Sequence, residues 1–170
     1  MKSSKKIINV LTVLLICVFL ITGTMTSAAA ADFEGSRLGS LRIEPTYNSK
    51  VVPYGTFNVY YVASLDASSG YIVYTLEGEF AQATTLDINK VKTAQQVLDA
   101  ATLLKGYTRD VDAHDYCALD LDKDGSVISG LKLGVYLVVQ TGAPSSYGIS
   151  SPFLVFLPIY VSGTDAGWDY

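Results

Sequence analysis

Gly130-Leu131-Lys132-Leu133-Gly134-Val135-Tyr136-Leu137-Val138-Val139-Gln140-Thr141 is the stretch whose reading decides the fold. From Val135 to Val139 every residue is β-branched, aromatic or Leu. A run with no polar residue to spare for a wet face fits a strand buried on both sides, at the centre of a sheet or sandwich. Gly130 and Gly134 punctuate its start, and Gly142, Pro144 and Ser145 stop it. Residues 57–62 upstream and 153–161 downstream repeat its character. Three apolar strands separated by turn chemistry predict an all-β sandwich, with Gly134, Tyr136 and Val138 in its core strand.

Residues 1–31 read as a secretory signal peptide. Lys2, Lys5 and Lys6 form a positive leading region, residues 7–21 are apolar except for Asn9 and Thr12, and the alanines at 28–31 offer small-residue cleavage sites. The apolar run falls short of the roughly 20 residues that a spanning helix needs, so contact with a membrane is expected only during export. Cleavage after Ala31 leaves 139 residues, the size of one domain over 32–170. It also leaves nine basic against sixteen acidic residues. That balance argues against nucleic acid and anionic membrane surfaces as partners, since both reward Lys and Arg. Cys17 departs with the signal peptide, so Cys117 has no partner for an internal disulfide. It is expected to be a small buried side chain on the alternation Cys117, Leu119, Leu121.

Elsewhere the period is two. Residues 39–44 place Leu41 and Ile43 on one face and Ser40 and Arg42 on the other, a half-buried first strand that Pro45 ends. Asn48-Ser49 marks a turn. A second strand over 56–63 turns Phe57, Val59 and Tyr61 one way, 64–70 reads as a loop, and 71–76 as a third strand. The period then changes over residues 93–104, where Val97, Leu98, Ala101 and Leu104 recur at helical spacing. Thr93 is placed to N-cap this segment and Gln96 to complete a capping box. Lys105-Gly106 supplies a cationic last turn and a terminating glycine. One amphipathic helix, about three turns long, is therefore expected as an insertion over the sandwich.

Few residues suggest chemistry. Asp120, Asp122 and Asp124 followed by Gly125 imitate the first half of a calcium loop, but its twelfth position is Leu131, where a bidentate carboxylate belongs. Asp-Gly between alternating runs reads instead as a hairpin turn, so no metal or other cofactor is expected. His114 lies beside Asp112 and Asp115 and three residues from Cys117, with no scaffold for a nucleophilic pair. No enzyme is expected. Twelve tyrosines would suit a carbohydrate platform, although strand propensity accounts for them without a ligand.

The ordered segments Gly130-Leu131, then Gly134-Val135-Tyr136-Leu137-Val138-Val139-Gln140-Thr141, then Pro144 and Tyr147, then Pro152-Phe153-Leu154-Val155, resemble the N-terminal domain of sortase-assembled major pilins of Gram-positive bacteria. The Cna B-type and prealbumin-like domains of other surface proteins share parts of this pattern. Val52-Pro53-Tyr54-Gly55-Thr56-Phe57 is similar to the family's turn into its second strand, and Trp168 and Tyr170 resemble the opening of its pilin motif. The resemblance implies an Ig-like sandwich in a pilus shaft at the cell surface or cell wall, with other pilin subunits and a sortase as partners. It also implies an acceptor lysine lying beyond Tyr170. Many members carry a lysine–asparagine isopeptide bond made with the help of a buried acid. Here Gln140 holds the acid position and Pro45-Thr46 stand where the lysine is expected, with Lys50 only in the next turn. No self-crosslink is therefore expected. A ligand-binding adhesin module, taking sugar or host protein, is the alternative.

Overall fold

The computed structural model describes residues 37–52, 54–68, 71–112 and 116–158. The signal peptide, His114, Trp168 and Tyr170 lie outside the described residues. The fold is all-β with one helix. Its strands are β1 (Gly39–Ile43), β2 (Thr46–Tyr47), β3 (Lys50–Val51), β4 (Thr56–Asp66), β5 (Val73–Leu76), β6 (Tyr116–Asp120), β7 (Ser126–Leu131), β8 (Gly134–Gly142) and β9 (Phe153–Leu157). Helix α1 (Ala94–Lys105) falls between β5 and β6.

The 11-residue β4 is the spine of a five-stranded sheet. One edge of β4 pairs antiparallel with β8, and β9 continues beyond β8. The other edge is shared, with β6 beside Thr56 to Tyr60 and β5 beside Ala63 to Asp66. β1 and β7 form a separate two-stranded sheet. Two apolar clusters flank the large sheet. On one face Phe57, Val59, Tyr136, Val138, Val155 and Leu157 pack against Leu41 and Ile43 of β1, with Ile128 and Leu131 of β7 alongside. On the other, Val62, Val135, Leu137, Val139 and Leu154 pack against Ala100, Ala101 and Leu104 of α1 and against Phe80 and Ile88. The run Val135 to Val139 is thus apolar throughout because a sheet covers one side of β8 and a helix the other.

Gly134 shows why the strand must start where it does. Its φ is +149°, a conformation L residues rarely adopt. An added Cβ would overlap the Ala63 carbonyl oxygen and sit 2.7 Å from Tyr61 Cε2. The Asn48-Ser49 turn also appears as expected, joining β2 to β3 with both residues at positive φ.

Helix α1 begins as its sequence prescribes. Thr93 Oγ1 accepts from Gln96 N at 3.2 Å, and Gln96 Oε1 accepts from Thr93 N at 3.1 Å. Its buried face differs from the expected one. Ala100, Ala101 and Leu104 are buried, whereas Leu98 is 39% exposed. Two adjacent alanines let the helix lie close to the sheet, which rotates Leu98 toward solvent. Gly106 closes the helix in right-handed conformation (φ −62°), not in the left-handed one anticipated for a terminating glycine.

Three further expectations are corrected. β4 runs on to Asp66, through residues read as loop, because β5 pairs with its last four residues; β5 itself begins at Val73. The Asp-Gly turn is formed, with an isolated bridge between Asp122 and Gly125, but it joins strands of different sheets: β6 pairs with β4, and β7 with β1. Cys117 is exposed, since on its face of the outer strand β6 burial begins only at Leu119 and Leu121.

The β5 edge carries a side-chain partner. Asn89 Oδ1 accepts from Tyr74 N at 2.8 Å and Asn89 Nδ2 donates to Tyr74 O at 2.9 Å.

Candidate functional site

The positions singled out by sequence fall into three places. The first is the connection from β6 to β7. Asp122 Oδ1 accepts from Asp124 N at 2.8 Å, a local turn bond, and Lys123 Nζ lies 3.2 Å from Asp124 Oδ2. Arg42 reaches across from β1, donating to Asp124 O at 2.9 Å while its guanidinium also holds Glu44. Gly125, at φ +83°, packs so closely on β1 that a Cβ would stand 2.5 Å from Ile43 O. Asp122 and Asp124 thus help to shape and pin a crossover between sheets, and the Asp120 backbone carbonyl accepts from Ser126 Oγ at 3.1 Å. Among the described residues no group of three or more His, Cys, Asp or Glu side chains is placed to share an ion.

The second place is Gln140, near the end of β8 opposite Phe57. It is buried, on the same face of the strand as Tyr136 and Val138. Gln140 Nε2 donates to Gly142 O at 3.1 Å, and Gln140 Oε1 accepts from Ser150 N at 2.7 Å. A buried amide needs both kinds of partner, and backbone supplies them here. The arrangement ties the loop 143–151 to the end of the strand. Neither bond involves an ionisable group, so the site as built positions a loop.

The third place is the pair Tyr61 and Tyr136. Their rings meet edge to face with centroids 5.3 Å apart. Tyr61 Oη donates to Leu133 O at 2.9 Å, and Tyr136 Oη donates to Lys132 O at 2.7 Å. Burial pushes the Tyr136 phenol well above its ordinary value, with neighbouring Tyr61 adding to the shift. Tyr61 is also raised, by burial first and then by Glu77. Both phenols serve as neutral donors that clamp the bend between β7 and β8.

The chain is similar to solved pilin structures. The full-length major pilin SpaD from Corynebacterium diphtheriae matches with 16% identity and a TM-score of 0.49, over 81% of this chain and 31% of that one. The pilus backbone protein RrgB from Streptococcus pneumoniae matches with 14% identity and a TM-score of 0.38, over 78% of this chain and 39% of that one. The chain thus spans about a third of the length of these pilins. No family model matches the chain, and no curated protein does.

The structure brings Gly134, Tyr136, Val138 and Gln140 together along β8 and leaves the three aspartates apart from them. Sequence reasoning missed the partners of Gln140. Ser150 contributes a backbone N–H, which any residue but proline would provide, so no side-chain signal marks it. It also missed an exposed aromatic contact between Tyr47 of the β2–β3 hairpin and Tyr147 of the loop after β8, with ring centroids 5.8 Å apart.

Proposed function

We propose that this chain is a structural domain of a pilus shaft subunit or a related cell-wall-anchored protein, exported through its N-terminal segment. Its work is to hold a rigid sandwich and to offer an acceptor lysine, lying beyond Tyr170, to a sortase. The observation that carries this reading is where the pilin-like motifs fall. Gly130-Leu131, residues 134–141 and residues 153–155 occupy the consecutive strands β7, β8 and β9, with Pro152 just before β9, and in β8 and β9 most of these residues are buried. A resemblance confined to surface turns would mean little, whereas this one coincides with the packed centre.

The chemistry would be a transfer. A sortase cysteine cleaves one subunit at its sorting signal and forms a thioester, and the lysine amine of the next subunit displaces the thiol to leave an intersubunit amide. Orientation supplies much of the rate in such a step, so a lysine carried on a packed strand outperforms one on a loose tail. The test is an extended chain incubated with its sortase and a sorting-signal peptide. Linkage is expected at one lysine downstream of Tyr170, and Lys→Arg there should abolish it, because a guanidinium stays protonated and cannot attack. Linkage that occurs equally at Lys50 or Lys105, or not at all, refutes the reading.

The Tyr47–Tyr147 pair favours a second reading, a ligand-binding adhesin module. These rings are 61% and 41% exposed and lie close to Val51 and Ile149 in sequence, both also exposed. Binding of a glycan or host protein that Tyr47→Ala and Tyr147→Ala abolish would support it.

A further inference from the structure

β9 ends the large sheet, and among the described residues only β8 pairs with it. In an antiparallel pair every second residue turns its N–H and C=O away from the partner. Folds commonly blunt such a margin with a charge, a bulge or a covering group. At β5, on the opposite side of the sheet, Asn89 does this by bonding Tyr74. β9 carries no charge and pairs with β8 without a bulge. Its sequence also has a symmetry of its own. Pro152-Phe153-Leu154-Val155-Phe156-Leu157-Pro158, laid antiparallel on itself about Val155, sets proline against proline, Phe153 against Leu157 and Leu154 against Phe156. Each aromatic ring then meets an aliphatic side chain, a favourable cross-strand pair. The prolines, which lack an N–H, close the ladder at the same place on both strands.

We propose that a second copy of this chain pairs β9 to β9 across a two-fold axis at Val155, joining two five-stranded sheets into one. A two-fold contact needs a self-complementary surface, which this run provides. The faces agree as well. Phe153, Val155 and Leu157 belong to the core shared with β1, and Leu154 and Phe156 to the core under α1. Every pairing above joins residues of one face, so both cores continue across the axis. A lone pair of short strands is marginal in water, and α1 supplies a second contact. The helix lies over β8 and β9, whereas the short 3-10 helices Gly78–Gln82 and Ile88–Lys90 pack on β4 and β5. With strands about 4.8 Å apart, the α1 helices of two paired copies come within about 10 Å, the packing distance of a helix pair. Leu98 is placed for that contact. Leu98 and Leu103 are each 39% exposed, and five residues at about 100° apiece set them about 140° apart around the helix. Leu103 lines the groove that α1 shares with Leu86, Asp87 and Val91 on the β5 side, so Leu98 faces the β9 margin.

The inference goes beyond the proposed function and does not rest on it, since the pairing needs no sortase. Sedimentation of the exported protein should show the mass of one chain giving way to twice that mass as concentration rises. Val155→Cys in a Cys117→Ser background should form a disulfide between copies on exposure to air. Facing Cα atoms of neighbouring antiparallel strands lie about 4.5–5.5 Å apart, within disulfide reach. Leu154→Cys in the same background, set opposite Phe156, should not link. Leu98→Glu, at an exposed position, should raise the dissociation constant about tenfold or more, because it places a charge in a closing helix contact, while the far-ultraviolet circular dichroism stays native. Linkage at Val155 decides the proposal; if that variant misfolds, Leu98→Glu decides it alone. A protein that keeps the mass of one chain at every concentration overturns it. Slow hydrogen exchange at the β9 amides of such a monomer would assign the margin to a segment of its own chain. A dimer that links no better at Val155 than at Leu154 also overturns the proposal, as does association that continues past two copies.

Discussion

Tyr136→Ala tests the centre of the fold. The side chain is 4% exposed, its ring meets Tyr61, and its hydroxyl donates to the Lys132 carbonyl. Emptying a buried aromatic site costs about 3–5 kcal/mol, of which the aromatic pair accounts for about 0.5–1.5. Tyr136→Phe keeps the ring and removes only the hydroxyl bond, so it should cost about 1 kcal/mol. Urea denaturation followed by circular dichroism separates the two. With a slope of about 2 kcal/mol per molar, a loss of about 4 kcal/mol lowers the midpoint by about 2 M, and a loss of 1 kcal/mol by about 0.5 M. Adding Tyr61→Ala should reveal a coupling of about 0.5–1.5 kcal/mol between the rings. A cost below about 1 kcal/mol for Tyr136→Ala would refute the placement of β8 between two covered faces.

Two other expectations follow from the same strand. Gly134→Ala should destabilise by roughly 2–4 kcal/mol, because it combines a strained backbone angle with overlap on the Ala63 carbonyl; a thermal midpoint equal to the parent's would show that the bend relaxes at no cost. The mature protein should have the unmodified mass of its sequence, since both ends of the Gln140 amide bond to backbone groups. An intact mass lower by one ammonia would reveal an isopeptide bond and point to another carboxylate, Glu44 or Glu77, as its acid.

The framework was legible wherever one physical cause dominated. Residues 135–139 read as doubly buried because their composition leaves no polar face, and a sheet and a helix cover the two sides. Thr93 and Gln96 announce a helix start because the capping box is local chemistry. The failures share a different cause, which is pairing with distant chain. Nothing near Ser64 reveals that β5 will return to extend β4 through Asp66. Cys117 sits in an alternation that looks inward-facing, but the small sheet does not reach that end of β6 to cover it.

The Asn89 side chain has a consequence for how the molecule meets other chains. A carboxamide can present an N–H and a C=O side by side in the planar spacing of a peptide group, so at Tyr74 it impersonates the rung that a neighbouring strand would supply. An intruding polypeptide must first evict a partner held by its own backbone a short distance along the chain. The fold therefore guards this margin, with a counterfeit neighbour stationed at β5. Illicit pairing along the β5 margin is discouraged without any contribution from a second strand.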